Sequence, residues 1–326
     1  MKNELLDVVE AAERIGRGDI MCIAGDEQLL LQLPKGRWIG GTTVYFVASD
    51  GGAVLRDKLF CTTLQARRAE VRYLPTLSLP EIPAGYIDGG ATLILVPAFS
   101  TAHARFAVNG PGYPGLFDQP LLGWVTGVHL DELGSRRPKV VNGATGAVNE
   151  DGALLLHLEL WPGERAELDI VNIFEPDDAV TFSFPVGGFA ASRAIVEGAE
   201  VSFGTFLVES GADTRLPLIA NYAGAHVNVS IRDIDHRTGE VSFYAPVVPG
   251  VEYRLACPVP DYAAAFARNA GGRGAAQFSC NCILNYIHGD LEGRPTGDFT
   301  GPVTFGEIAY ILLNQTLVRL DIQAGS

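Results

Sequence analysis

The segment Phe278 to His288, FSCNCILNYIH, gathers two thiols (Cys280, Cys282), two carboxamides (Asn281, Asn285), a phenol (Tyr286) and an imidazole (His288) into eleven residues. In an extended strand Cys280 and Cys282 share one face and Asn281 takes the other. The expected arrangement is a polar cluster at the end of a buried strand, lining a pocket. The competing expectation is structural, because a free cysteine is among the most buried residue types and packs as a small hydrophobe. A thiolate with an imidazole as base would make Cys280 or Cys282 a nucleophile with His288 beside it, which spacing alone does not bring together.

Other chemistries are missing. Gly40-Gly41 and Gly187-Gly188 lack the spacing of a phosphate-binding loop, and neither a nucleophile elbow nor a two-histidine zinc helix occurs. The C-x-C pair has no second cysteine pair to complete a structural zinc site. Asp233 to Glu240 resembles a calcium loop only superficially and reads as a turn between strands. The six histidines are scattered; His103 and His288 are kept as candidate ligands because polar, turn-rich sequence flanks them.

The elements that must position these groups can be read from apolar spacing. Residues 4–17 suggest an amphipathic helix ending at Gly18, and Ile20–Ala24, Gln28–Leu33, Thr42–Val47, Lys58–Thr63 and Ala91–Val96 suggest strands. Asn109–Pro120 is a Gly- and Pro-rich loop, on which Tyr113 and Phe117 could offer a contact surface for a homo-oligomer. Glu240–Ala245 and Val251–Ala256 alternate and suggest a hairpin, while Asp261 can cap a helix over Tyr262–Ala270 that Gly271-Gly272 stops. Thr304 and Glu307 match a capping box, with Ile308, Ile311, Leu312 and Leu317 as the buried stripe of a final helix. Strands and helices mix without regular alternation, so the expected class is α+β, with two mixed, largely antiparallel sheet units and flanking helices.

The charge supports two units. With 24 basic and 38 acidic side chains the net charge is −14, against nucleic acid or an acidic membrane surface as partner. The second half, from residue 151, contains no lysine, and the change coincides with the polar turn sequence Asn142–Gly152. The expected division is therefore 1–145 and 146–326. No apolar run is long enough to span a bilayer, the N-terminus does not read as a secretion signal, and five cysteines do not make a disulfide framework, so a cytoplasmic protein is expected.

Gly239-Glu-Val-Ser-Phe-Tyr-Ala-Pro-Val-Val-Pro-Gly250, Gln277-Phe-Ser-Cys280 and Gly301-Pro-Val-Thr-Phe-Gly-Glu307 resemble the C-terminal part of the FIST sensory domains. Trp38-Ile-Gly-Gly-Thr-Thr43 resembles the Gly-Cys-Ser-Thr-like turn of their N-terminal part, without its cysteine, and Asn281-Cys282-Ile283 replaces the Arg-Gly step common after Cys280. The resemblance implies FIST-N-like and FIST-C-like domains that bind a small molecule between or within them and signal through a separate protein. The ligand residues it points to are Gly40, Gly41, Thr42, Thr43, Cys280, Asn281, Cys282, Asn285, Tyr286, His288 and Glu307. Some FIST proteins bind haem and sense nitric oxide, so haem is a cofactor candidate.

Overall fold

A computed structural model describes residues 2–222, 225–270 and 278–324. Its architecture is α+β: short helices flank four six-stranded sheets and one three-stranded sheet. Three of the large sheets each contain one parallel pair among antiparallel neighbours. The pairs are Ile20–Gly25 with Trp38–Thr42, Ala91–Pro97 with Leu121–Thr126, and Phe278–Cys282 with Gly301–Thr304. A parallel pair needs a crossover, and each pair has a helix in its connection: Glu27–Leu30, Thr101–Asn109 and Ile283–His288 respectively. These strands are buried along their whole length, as continuous apolar runs such as Ala91–Pro97 require.

Sequence halves share sheets. Ala153–Glu159 lies between Arg68–Leu74 and Ala91–Pro97, Glu307–Ala309 pairs with Leu121–Thr126, and Gly301–Thr304 pairs with Tyr45–Ala48. The division at 145/146 thus coincides with no break in hydrogen bonding. The segment Asn109–Pro120 is a loop with one turn of 3-10 helix; it buries Tyr113 and Leu116 but leaves Phe117 exposed and stacked on Tyr310. Among the described residues, no helix is long and apolar enough to cross a membrane.

Several expectations from periodicity are corrected. Residues 4–17 split into the strand Lys2–Leu6, which pairs with Leu59–Leu64, and the helix Val8–Gly16, where Asp7 and Glu10 form the capping box. Gln28–Leu33 is half helix and half turn, because Asp26 accepts from the Gln28 amide and starts Glu27–Leu30 there. Glu240–Val247 and Glu252–Ala256 do not pair with each other: the first joins Ile231–Asp235 and Gly188–Ala191, the second Pro176–Ser183 and Leu218–Tyr222. The helix expected after Thr304 is absent. Glu307–Ala309, Ile311–Leu313 and Leu317–Ala324 are strands, separated by backbone at positive φ at Tyr310 (62°) and Gln315 (50°), which a right-handed helix excludes. Pairing of Ile308 with Gly123 and of Ile311 and Leu312 with Ala309 and Ile308 overrides their helical spacing. Asp261 does cap Tyr262–Ala270, accepting from the Ala264 amide, whereas Gly271-Gly272 and Gln277 lie outside the described residues.

Candidate functional site

The strand Phe278–Cys282 is central in its sheet, antiparallel to Leu317–Ala324 on one side and parallel to Gly301–Thr304 on the other. Cys280 and Cys282 are therefore sealed, at 0% and 1% exposure, and burial pushes both thiols well above their usual pKa. The Cys280 thiol sits 3.5 Å from the Gly123 carbonyl oxygen. Protonated, inaccessible thiols are poor nucleophiles, and neither fits the role of an axial haem ligand.

Around them lies a connected polar core. The Asn281 carboxamide oxygen accepts from the Cys282 amide (2.8 Å) and from Asn285 Nδ2 (2.9 Å), and Asn285 Nδ2 also donates to the Thr316 carbonyl (3.2 Å). Glu307 is completely buried; its Oε2 accepts from the Thr316 hydroxyl (2.9 Å) and amide (3.3 Å), and Thr304 Oγ1 lies 3.4 Å from Oε1. Burial outweighs these hydrogen bonds and raises the Glu307 carboxyl to about 8, so it carries a proton at neutral pH. Asn281 Nδ2 and Asn285 Oδ1 have no hydrogen-bond partner among the described residues.

The remaining expected residues pack near this core. Thr43 donates from its hydroxyl to the Val303 carbonyl (2.7 Å), which ties the first-half turn to Gly301–Thr304. Thr42 accepts from the Lys139 amide (2.9 Å). A Cβ at Gly41 would stand 2.7 Å from Thr126 Cγ2 and 3.0 Å from Trp124 Nε1, and one at Gly40 would stand 2.9 Å from the Trp38 ring; both glycines serve close packing. Tyr286 sits edge-on to Tyr45, with its hydroxyl buried and unpartnered among the described residues. His288 turns away, into the walls of two surface cavities of about 330 and 350 Å3. The structure thus unites Thr43, Cys280, Asn281, Cys282, Asn285 and Glu307 around one strand, but none of Cys280, Asn281, Cys282, Asn285 or Glu307 lines a cavity described here.

The concave surface begins one residue beyond. Ile283, Leu284 and Ile287, on the helix that follows Cys282, form one wall of an apolar cavity of about 190 Å3. Ala98 and Phe99 follow the end of Ala91–Pro97, and Phe305 follows the end of Gly301–Thr304; together they form the opposite wall. The cavity therefore opens at the carboxyl ends of two parallel pairs, the place where α/β sheets generally hold ligands. Leu130 and Leu133, His103, Tyr244 and Arg232 complete it.

Phe99 is held there against its own preference. Its φ of 62° is a left-handed conformation that a bulky residue rarely adopts, and its ring is 61% exposed while meeting Phe305 edge-on at 6.1 Å. Its amide donates to His103 Nδ1 (3.3 Å), and Ser100 caps the helix Thr101–Asn109 by accepting from the His103 amide. Because Nδ1 accepts, the neutral ring carries its proton on Nε2. Burial lowers the His103 pKa to about 4, so the ring stays neutral and this bond persists at physiological pH.

Sequence reading singled out His103 and His288, and both prove to be cavity residues. It missed Phe99, Phe305, Tyr244 and Arg232. Phe99 carries one readable signal, since it directly follows the apolar run Ala91–Ala98. Among the described residues, no group of three or more His, Cys, Asp or Glu side chains could hold a metal ion. A family model described as a family of unknown function, DUF6976, matches residues 6–323. No curated protein matches the chain.

Proposed function

We propose, from the premise that the chain belongs to the DUF6976 family, that it is a small-molecule-binding sensory protein of the type its FIST-like segments suggest. The ligand enters the apolar cavity beside the helix Ile283–His288. The observation that carries this reading is the convergence of Phe99, from the first half of the sequence, with Phe305 and Leu284, from the second, at the ends of parallel strands. Strained backbone at an exposed aromatic is a further sign, since such conformations cluster at ligand clamps. A ligand gripped by both halves binds one arrangement of them better than another, and that difference in affinity is what a separate signalling protein would read.

The sealed thiols give no support to a cysteine-dependent enzyme or to thiolate-ligated haem, and the ligand-binding reading needs neither. A thermal-shift screen of amino acids and small metabolites tests it. A ligand at one hundred times its Kd stabilises by about 2.7 kcal/mol, so a shift of several degrees is expected, and Phe99→Ala should shrink it. If no compound raises the melting temperature, or if every hit is indifferent to both Phe99→Ala and Leu284→Ala, the reading fails.

A further inference from the structure

Resting on that ligand-binding reading, we infer that the site takes an amphipathic carboxylate, with its apolar body behind Phe99 and its anionic group on Arg232. Arg232 sits at the seam between the apolar cavity and the neighbouring polar one of about 350 Å3; Tyr244, Leu284 and Ile287 also line both. Its placement follows from a β-bulge. Ile231 pairs with Phe243 and Asp233 pairs with Ser242, so Arg232 is the extra residue that the ladder leaves unmatched. A bulge of this kind turns one side chain out of the regular alternation and often stands beside a functional site.

Arg232 is exposed, and water rather than a carboxylate of the described residues solvates its charge. Seven arginines of the second half, from Arg165 to Arg319, hold a carboxylate within 4.0 Å. Arg232 holds none among the described residues, in a chain whose net charge is −14 and which therefore offers many acidic partners. The Tyr244 hydroxyl makes no hydrogen bond within the described residues, and it is close enough to feel the Arg232 charge. A guanidinium fork beside a phenol suits a carboxylate, which accepts two parallel N–H bonds and a third from the hydroxyl.

The apolar part sets the size. A cavity of about 190 Å3 holds roughly six groups the size of a water molecule at ~30 Å3 each. That suits a short hydrocarbon tail or one aromatic ring, packed against the wall that Phe99 and Phe305 form together.

The test compares octanoate, octanol and octyltrimethylammonium by calorimetry on the full chain and on Arg232→Gln. Octanoate should bind about tenfold or more tightly than octanol, the margin of a charge-assisted hydrogen-bonded pair, and the ammonium should bind worst. Arg232→Gln should bring octanoate down to the level of octanol and leave octanol unchanged, which also reports that the cavity is intact. If octanol matches octanoate, if the ammonium binds best, if none of the three binds, or if Arg232→Gln leaves octanoate unchanged, the carboxylate assignment is overturned. The metabolite screen decides the broader ligand-binding reading independently. Should Arg232→Gln fail to fold, the comparison of the three compounds on the unaltered protein still decides.

Discussion

Glu307 keeps a proton that its unfolded counterpart would lose. Folded, it titrates near 8, against an ordinary glutamate value of ~4.3 in the unfolded chain. At acid pH both states hold the proton and the Glu307 contribution to stability is greatest. As the pH climbs towards 8 the unfolded chain ionises first, so stability falls, by an amount on the order of a few kcal/mol, and levels off beyond. Glu307→Gln keeps the shape and removes the titration, so its stability relative to the parent should rise between pH 5 and pH 8.5 in urea denaturation. A difference that does not change with pH would refute the assignment. The cysteines make a second residue-scale prediction: Cys257 is the exposed thiol, and Cys22, Cys61, Cys280 and Cys282 are buried. A disulfide reagent should titrate one thiol in the native protein and five after denaturation. Phe99 makes a third. Phe99→Gly relieves a left-handed backbone worth of order 1–3 kcal/mol and removes a ring that is mostly exposed. The melting temperature should hold or rise while affinity for octanoate falls. The cluster at Phe278–His288 was legible from residue types alone, but its role was not. Whether a Cys-Asn-Cys strand lines a cavity or lies behind one depends on which strands flank it, and those come from residues 301–304 and 317–324.

Two of the three crossover helices, Thr101–Asn109 through His103 and Ile283–His288 through Ile283, Leu284 and Ile287, line the apolar cavity. Their support is glycine-tight. A Cβ on Gly127 would stand 2.3 Å from the Phe305 ring, and a ring can rotate where backbone cannot. Gly127→Ala should therefore displace Phe305 and weaken octanoate binding severalfold while costing little stability; a large drop in melting temperature with unchanged affinity would contradict this account. At this scale the sequence was readable where the signal is local. Asp261 and its helix, and the uninterrupted run Ala91–Val96, need only their own neighbours. The stretch after Thr304 misleads because Ile308, Ile311 and Leu312 have helical spacing by coincidence; Glu307–Ala309 and Leu317–Leu320 find strand partners far away in sequence, and Ile311–Leu313 folds back on Glu307–Ala309. The bulge that frees Arg232 has no local signature, since it is a mismatch between two strands and belongs to neither alone.

Across the whole molecule, the drop in charge at residue 150 was visible in composition, but the sheets pass over it. Residues 1–145 alone would lose Gly301–Thr304 from the edge of Tyr45–Ala48 and Ala153–Glu159 from between Arg68–Leu74 and Ala91–Pro97. Neither 1–145 nor 146–326 should fold when expressed separately; native-like circular dichroism and a cooperative melt from either piece would show the halves to be autonomous. The same pairing has a consequence for synthesis. A ribosome adding ~5–20 residues per second needs roughly 13–50 s to go from Ala48 to Gly301, the two strands joined in one ladder. Throughout that interval the edge of Tyr45–Ala48 lacks the neighbour that will cover it. An open strand edge can pair with other chains, so the nascent protein is a candidate for chaperone shelter until its last strands emerge.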